Sequence, residues 1–238
     1  MPTVSVIIPQ YHHEAYLMDA VQSIVNQTFL DWELIILNDD SGINLLPYER
    51  LDSRIQVFQT GGRKGQPYRL NQGIRPARGE YIAFLDADDI AIPQRLMLSI
   101  VFMKKHNLDM MYGDNIILKP DGRRYYGAST NWDPELLKKR TITCFSSIMV
   151  RREIALKCPF PEDVGQGNDR IWTIDVSRVT DAIARLPLPF YYHLDYTSQF
   201  HGKLYIDFAL GRKINSFLAR IEREYQRRKL QKEVDKWI

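Results

Sequence analysis

Short apolar runs alternate with amphipathic stretches through the first half of the chain. Val4 to Ile8 is wholly apolar apart from Ser5 and is closed by Pro9, a pattern suited to a strand buried on both faces. Leu17, Val21, Ile24 and Val25 then recur at i, i+4, i+7 and i+8, which predicts a helix with one apolar face. Glu33 to Leu37 reads as a second strand running into Asn38-Asp39-Asp40-Ser41-Gly42, and Ile55 to Phe58 as a third followed by Gly61-Gly62-Arg63-Lys64-Gly65. A helix over about Tyr68 to Ala77 leads to a fourth strand, Tyr81 to Leu85, which meets Asp86-Ala87-Asp88-Asp89. Pro93 opens another helix, with Leu96, Ile100 and Met103 on one face.

This alternation predicts an α/β fold, a mainly parallel sheet covered by helices on both faces. The second half is less regular. Met110–Leu118 and Arg124–Gly127, joined through Pro120-Asp121-Gly122, read as a hairpin. A strand at Ile148 to Val150, a helix near Asp169 to Val179 and a strand near Phe190 to His193 follow. From Leu204 onward the pattern is helical, with Ile214, Phe217, Leu218, Ile221 and Tyr225 on one stripe. The expected organisation is one domain over residues 1–203 and a basic amphipathic helical extension over 204–238.

Composition narrows the classes. With 238 residues, 45% hydrophobic and 26% charged, the chain is of ordinary globular make-up. The formal net charge of +3 is too small to imply nucleic-acid binding, and it is unevenly spread. From Gly211 onward nine basic residues face four acids, a local +5 that leaves −2 for residues 1–210. The extension suits an anionic membrane surface, packing on the domain, or pairing with a second copy. Cys144 and Cys158 are too few for a disulfide framework and read as reduced, buried thiols. No run reaches the ~18–20 apolar residues that span a bilayer, so the expected location is cytoplasmic, at most peripheral to the inner face of the membrane.

In open α/β sheets ligands bind beyond the carboxyl ends of the strands. Here those ends carry Gln10-Tyr11-His12-His13-Glu14, Asn38-Asp39-Asp40 and Asp86-Ala87-Asp88-Asp89, which should converge on one edge. Asp86 and Asp88 can offer two carboxylates to one hard cation such as Mg2+ or Mn2+. Capping of the following helix by Asp88 or Asp89 is the competing reading. A dinucleotide fold is excluded by its own requirement, because the turn Pro9-Gln10-Tyr11-His12-His13 has no glycine. The Gly61–Gly65 loop lacks the Gly-Lys-Ser/Thr ending of a Walker loop and reads as a flexible basic loop able to touch phosphate.

These segments carry a family resemblance. Val4-Ser5-Val6-Ile7-Ile8-Pro9, Ser23-Ile24-Val25-Asn26-Gln27-Thr28-Phe29, Glu33 to Asp39, Arg69 to Ile74 and Ala77 to Asp89 follow in the order seen in family 2 glycosyltransferases, over roughly residues 3–105. The resemblance implies a GT-A fold, a nucleotide-sugar donor with UDP as carrier, a divalent metal, and inversion at the anomeric carbon. It further implies a glycan or lipid-linked sugar acceptor in surface polysaccharide synthesis. By position, Pro9 and Tyr11 resemble the turn that packs on the nucleobase, and Glu14 an acid near that pocket. Asp39 resembles the acceptor of a uracil hydrogen bond, with Asp40 its competitor. Asp86 resembles the first acid of the Asp-x-Asp, near ribose and metal, and Asp88 the metal-ligating acid. His12 departs from the family, which often has Asn there.

An inverting displacement also needs a carboxylate to accept the attacking hydroxyl's proton. The family's Glu-Asp pair at a helix start resembles Asn168-Asp169 here, so Asp169 is the expected base, with Asp163 and Asp175 behind it. Asn168 cannot act as a base, which leaves a catalytically silent nucleotide binder as one alternative. A sugar-phosphate nucleotidyltransferase is another, although it calls for a Gly-rich, basic turn after the first strand. His193 reads as structural, and Trp132 and Trp172 as core aromatics.

Overall fold

The computed structural model describes residues 1–195 except 60, 120, 165 and 166. The 204–238 extension therefore lies outside the described residues, as does the boundary at 203. The chain order is β1 (Val4–Gln10), α1 (Glu14–Val25), β2 (Trp32–Asn38), α2 (Leu46–Glu49), β3 (Ile55–Gln59), α3 (Gln66–Ile74), β4 (Tyr81–Phe84), β5 (Asp89–Ala91) and α4 (Arg95–His106). It continues with β6 (Met110–Leu118), β7 (Arg124–Gly127), α5 (Pro134–Lys139), a 3-10 turn at Phe145–Ser147, β8 (Met149–Arg151), α6 (Arg152–Lys157), α7 (Asn168–Ser177) and β9 (Ile183–Leu194).

The strands form a single sheet in the order β3-β2-β1-β4-β8-β6-β9-β5, with β7 also paired to β6. β3, β2, β1 and β4 are parallel, in a register that sets Gln10 beside Asn38 and Ile7 beside Phe84. All residues of β1, β2 and β4 are buried, as expected for strands with helices on both faces. Antiparallel β8 then links this half to β6, which runs parallel to β9 over most of its length. The predicted hairpin is present as β6 and β7.

Two apolar layers enclose the sheet. Val4, Val6 and Ile8 face Leu17, Val21 and Ile24 of α1 on one side, together with Leu96, Ile100 and Met103 of α4. Ile7, Ile35 and Leu37 face Leu70 and Ile74 of α3 on the other, where Phe84, Phe160 and Trp172 also gather. Gly73 lets α3 sit close to the sheet, since a Cβ there would lie 2.6 Å from Leu37 Cδ1. Phe160 stacks on Trp172 with ring centroids 4.5 Å apart, and Phe84 meets Trp172 edge-on. Trp172 is fully buried and donates from Nε1 to the Cys158 carbonyl at 2.6 Å. This anchor fixes α7, and with it the acidic residue one turn earlier. Both cysteines are free thiols.

Candidate functional site

The loops after β1, β2 and β4 meet at one edge of the sheet, as the parallel register requires. Asp39 follows β2 and is buried, whereas Asp40 is exposed with φ +61°, which separates the two candidates. Asp39 Oδ1 accepts from Lys64 N at 2.7 Å and from Arg69 Nε and Nη2 at 2.8 and 2.5 Å, and Oδ2 accepts from Gly65 N at 2.7 Å. Burial opposes charge on Asp39, but these donors outweigh it and hold its carboxyl below the usual range. Arg69 also donates to the Gly62 carbonyl, so the pair ties down the basic loop over its glycines. Gly65 has φ +88°, a conformation that favours glycine. Asp39 thus has a structural role toward Arg69 that the sequence did not disclose.

Pro9 is buried within β1. Tyr11 is partly exposed, with the Arg63 guanidinium 4.5 Å above its ring and the His12 ring tilted against it at 4.0 Å. His12 has φ +56°, a left-handed conformation that Asn and His tolerate better than most residues, which fits the family's Asn at this position. Glu14 is the first residue of α1, where a carboxylate suits the positive helix end, and lies 3.8 Å from His12 Nδ1.

Asp86, Asp88 and Asp89 fill the tight turn after β4. Gln66 Nε2 donates to Asp86 Oδ1 at 2.9 Å, and Ser146 Oγ accepts from Asp86 N at 2.9 Å. Burial, then the charges of Asp89 and Asp88, push the Asp86 carboxyl well above the ordinary range. Asp88 moves the other way: burial opposes its charge, but His13, 3.6 Å away, outweighs it. Asp89 lies under the turn with His193 Nδ1 2.9 Å from its Oδ1. His193 is therefore partnered to the acidic turn rather than isolated. Among the described residues no set of three or more His, Cys, Asp and Glu side chains forms a metal cage of its own. Asp86 and Asp88 fit a cation that completes its shell with water and phosphate oxygens, and the charge crowding at Asp86 is what such a cation relieves.

A cavity of about 620 Å³ opens beside this turn. It is lined by Asp86, by Lys64 to Pro67, by Phe145, and by Glu162, Asp163, Val164, Gly167, Asn168 and Asp169. Asp86 and Asp169 thus share one cavity, while Pro9, Tyr11, Glu14, Asp39 and Asp88 do not line it. Asp39 reaches it through the Lys64 and Gly65 amides. Asp169 is the second residue of α7, whose N-cap is Gly167 and makes no side-chain cap bond. Asp169 is therefore not the capping residue. Of the runners-up, Asp163 lines the cavity, whereas Asp175 pairs with Arg178 on the surface. Sequence reasoning missed Gln66, Arg69, Ser146 and Glu162, whose roles depend on partners distant in the chain.

The sequence pattern described as Glycosyl transferase family 2 matches residues 5–157. The chain belongs to glycosyl transferase family 2. A family relative from Escherichia coli, UDP-Glc:alpha-D-GlcNAc-diphosphoundecaprenol beta-1,3-glucosyltransferase WfgD, is 33% identical over 152 residues, covering 62% of this chain and 60% of the relative. An uncharacterized glycosyltransferase of Methanocaldococcus jannaschii is 29% identical over 184 residues, covering 71% and 62%. S. aureus TarS 1–349, solved with UDP-GlcNAc, superposes with a TM-score of 0.69 at 20% identity over 83% of this chain and 60% of that one. The expected GT-A-like architecture is thereby the observed one. The chain spans about three-fifths of the length of these proteins. No helix among the described residues is long and apolar enough to cross a membrane.

Proposed function

We propose that the protein is an inverting glycosyltransferase that moves a sugar from a nucleotide-sugar, with UDP as carrier, to a hydroxyl of a glycan or lipid-linked acceptor in surface polysaccharide synthesis. The observation that carries this reading is the single cavity lined by both Asp86 and Asp169. The names of two similar proteins support the donor: the E. coli relative is described as using UDP-Glc, and TarS was solved with UDP-GlcNAc. The diphosphoundecaprenol in the E. coli name supports a lipid-linked acceptor.

In this reading Tyr11 offers a ring face to the base, and the Asp39–Arg69 pair holds the loop that carries Lys64 beside the diphosphate. Asp86, steadied by Gln66 and Ser146, and Asp88 would hold a divalent cation, Mn2+ or Mg2+. When bound, the cation neutralises charge on the departing diphosphate. Asp169 sits in the first turn of α7 and lines the cavity. It takes the proton of the acceptor hydroxyl as that oxygen bonds to the anomeric carbon and the bond from that carbon to the diphosphate breaks.

The cation assignment has a direct test. Asp88→Ala should keep a cooperative unfolding transition while Mn2+ no longer tightens UDP binding by calorimetry. Intact Mn2+-dependent UDP binding in that variant would show that Asp88 is not a ligand.

A further inference from the structure

Arg95, at the start of α4, is only 1% exposed. Its Nη2 donates to the carbonyl of Phe84, the last residue of β4 and two residues before Asp86, at 2.5 Å. Nε and Nη1 are equally buried and meet no partner among the described residues. A guanidinium has five N–H donors, so leaving most of them dry is costly, and an apolar side chain of similar volume would serve packing better. The rest of the buried α4 face supplies that packing through Leu96, Ile100 and Met103. Burial pulls the Arg95 pKa down to about 10, which still leaves the group charged at neutral pH, and the nearby Asp89 carboxylate favours that charge. Arg95 is thus a sealed positive charge bonded to the end of the strand that runs into a turn of three carboxylates, and among the described residues it hydrogen-bonds none of them.

We propose that Arg95 is a positioning residue that limits how tightly the Asp86–Asp89 turn holds its divalent cation, so that the cation can leave with the nucleoside diphosphate. The proposal rests on the cation reading of Asp86 and Asp88. A fixed positive charge repels a doubly charged ion more than it repels a proton, so its removal strengthens the hold on the metal. Product departure limits turnover in many enzymes, and excess affinity there slows it.

The test measures binding of Mn2+ alone to the full chain, by the electron paramagnetic resonance signal of free Mn2+, for the wild type, Arg95→Met and Arg95→Lys. Arg95→Met is expected to bind Mn2+ about tenfold more tightly, a modest fraction of what a unit charge exerts at contact distance in a protein. Arg95→Lys, which keeps the charge, should stay within about twofold of the wild type. Hydrolysis of UDP-sugar by Arg95→Met should show a lower kcat without a higher KM. A residue that served packing alone would leave the Mn2+ affinity unchanged. Equal or weaker Mn2+ binding in Arg95→Met, or tightening in Arg95→Lys as well, overturns the proposal. Should Arg95→Met not fold, Arg95→Gln takes its place, with the same tightening expected and the same results overturning the proposal. Absence of Mn2+ binding in the wild type, both alone and with saturating UDP, overturns the cation reading and this proposal together.

Discussion

Asp169→Asn is expected to cut sugar transfer by about 10²–10⁴-fold, the usual worth of a positioned general base, while UDP binding stays within about twofold. The substitution keeps the shape of the side chain while removing its charge and its capacity to accept a proton. It leaves the helix start intact, because the N-cap is Gly167 and its cap makes no side-chain bond. It also leaves the anchor of α7 untouched, since Trp172 is held by Phe84, Phe160 and the Cys158 carbonyl. Asp163→Asn, on the lining of the same cavity, is the control and should change turnover only a few-fold. Paired measurements of turnover and UDP calorimetry separate the outcomes. Full activity in Asp169→Asn with loss in Asp163→Asn would move the base to Asp163. UDP binding without turnover in the wild type would favour the silent homologue that Asn168 leaves open.

Arg69→Ala carries the largest expected loss of stability. Arg69 is fully buried and its partner Asp39 nearly so, with their closest atoms 2.5 Å apart. Removing one member of a buried pair strands the other charge and typically costs about 3–5 kcal/mol. For a chain of this size that corresponds to a fall in Tm on the order of 10 °C, measurable by thermal unfolding. A double variant, Arg69→Leu with Asp39→Leu, should be less destabilised than the sum of the singles, because no charge is stranded. The pH dependence follows from the direction of the Asp39 shift. Its folded-state carboxyl is held below the ordinary 3.8, so it binds fewer protons folded than unfolded near that pH. The stability it contributes is present above about the ordinary value and is lost as pH falls through the depressed one. The gap between wild type and Arg69→Ala should therefore be widest at neutral pH and shrink in acid. A gap that grows below the ordinary value would contradict the pairing.

The parallel half of the fold was legible because each element declares itself locally. β1, β2 and β4 are short, mostly apolar runs, and α1 and α4 show the apolar stripes that the structure buries. Boundaries were less so. α3 begins at Gln66 rather than Tyr68, because Pro67 occupies its first turn, and β4 ends at Phe84 rather than Leu85. α2, with four residues, is too short for a helical period to show. β5 exists only through pairing with the remote Tyr191 to His193. β9 runs from Ile183, far before the expected Phe190, because Pro187 and Pro189 mask it and its register with β6 shifts there.

The site divides in the same way. Asp86 and Asp88 stood out as acids at a strand end and the family resemblance pointed to Asp169; the structure sets Asp86 and Asp169 on one cavity. Arg69 on Asp39, and Gln66 and Ser146 on Asp86, were not, since their partners are 30, 20 and 60 positions away. His193 looked isolated in the sequence, and only the β5–β9 pairing brings it to Asp89. The aromatic at Trp172 behaves as expected, as a core residue.

The cavity between Asp86 and Asp169 is expected to turn over a UDP-sugar with a divalent cation. The most direct measurement is UDP release from UDP-glucose and UDP-N-acetylglucosamine by the wild-type protein, with Mn2+ and again with chelator. Release that requires Mn2+ and stops on chelation is the predicted result. UDP release that proceeds unchanged in chelator, or release only from sugars carried by another nucleotide, would contradict it.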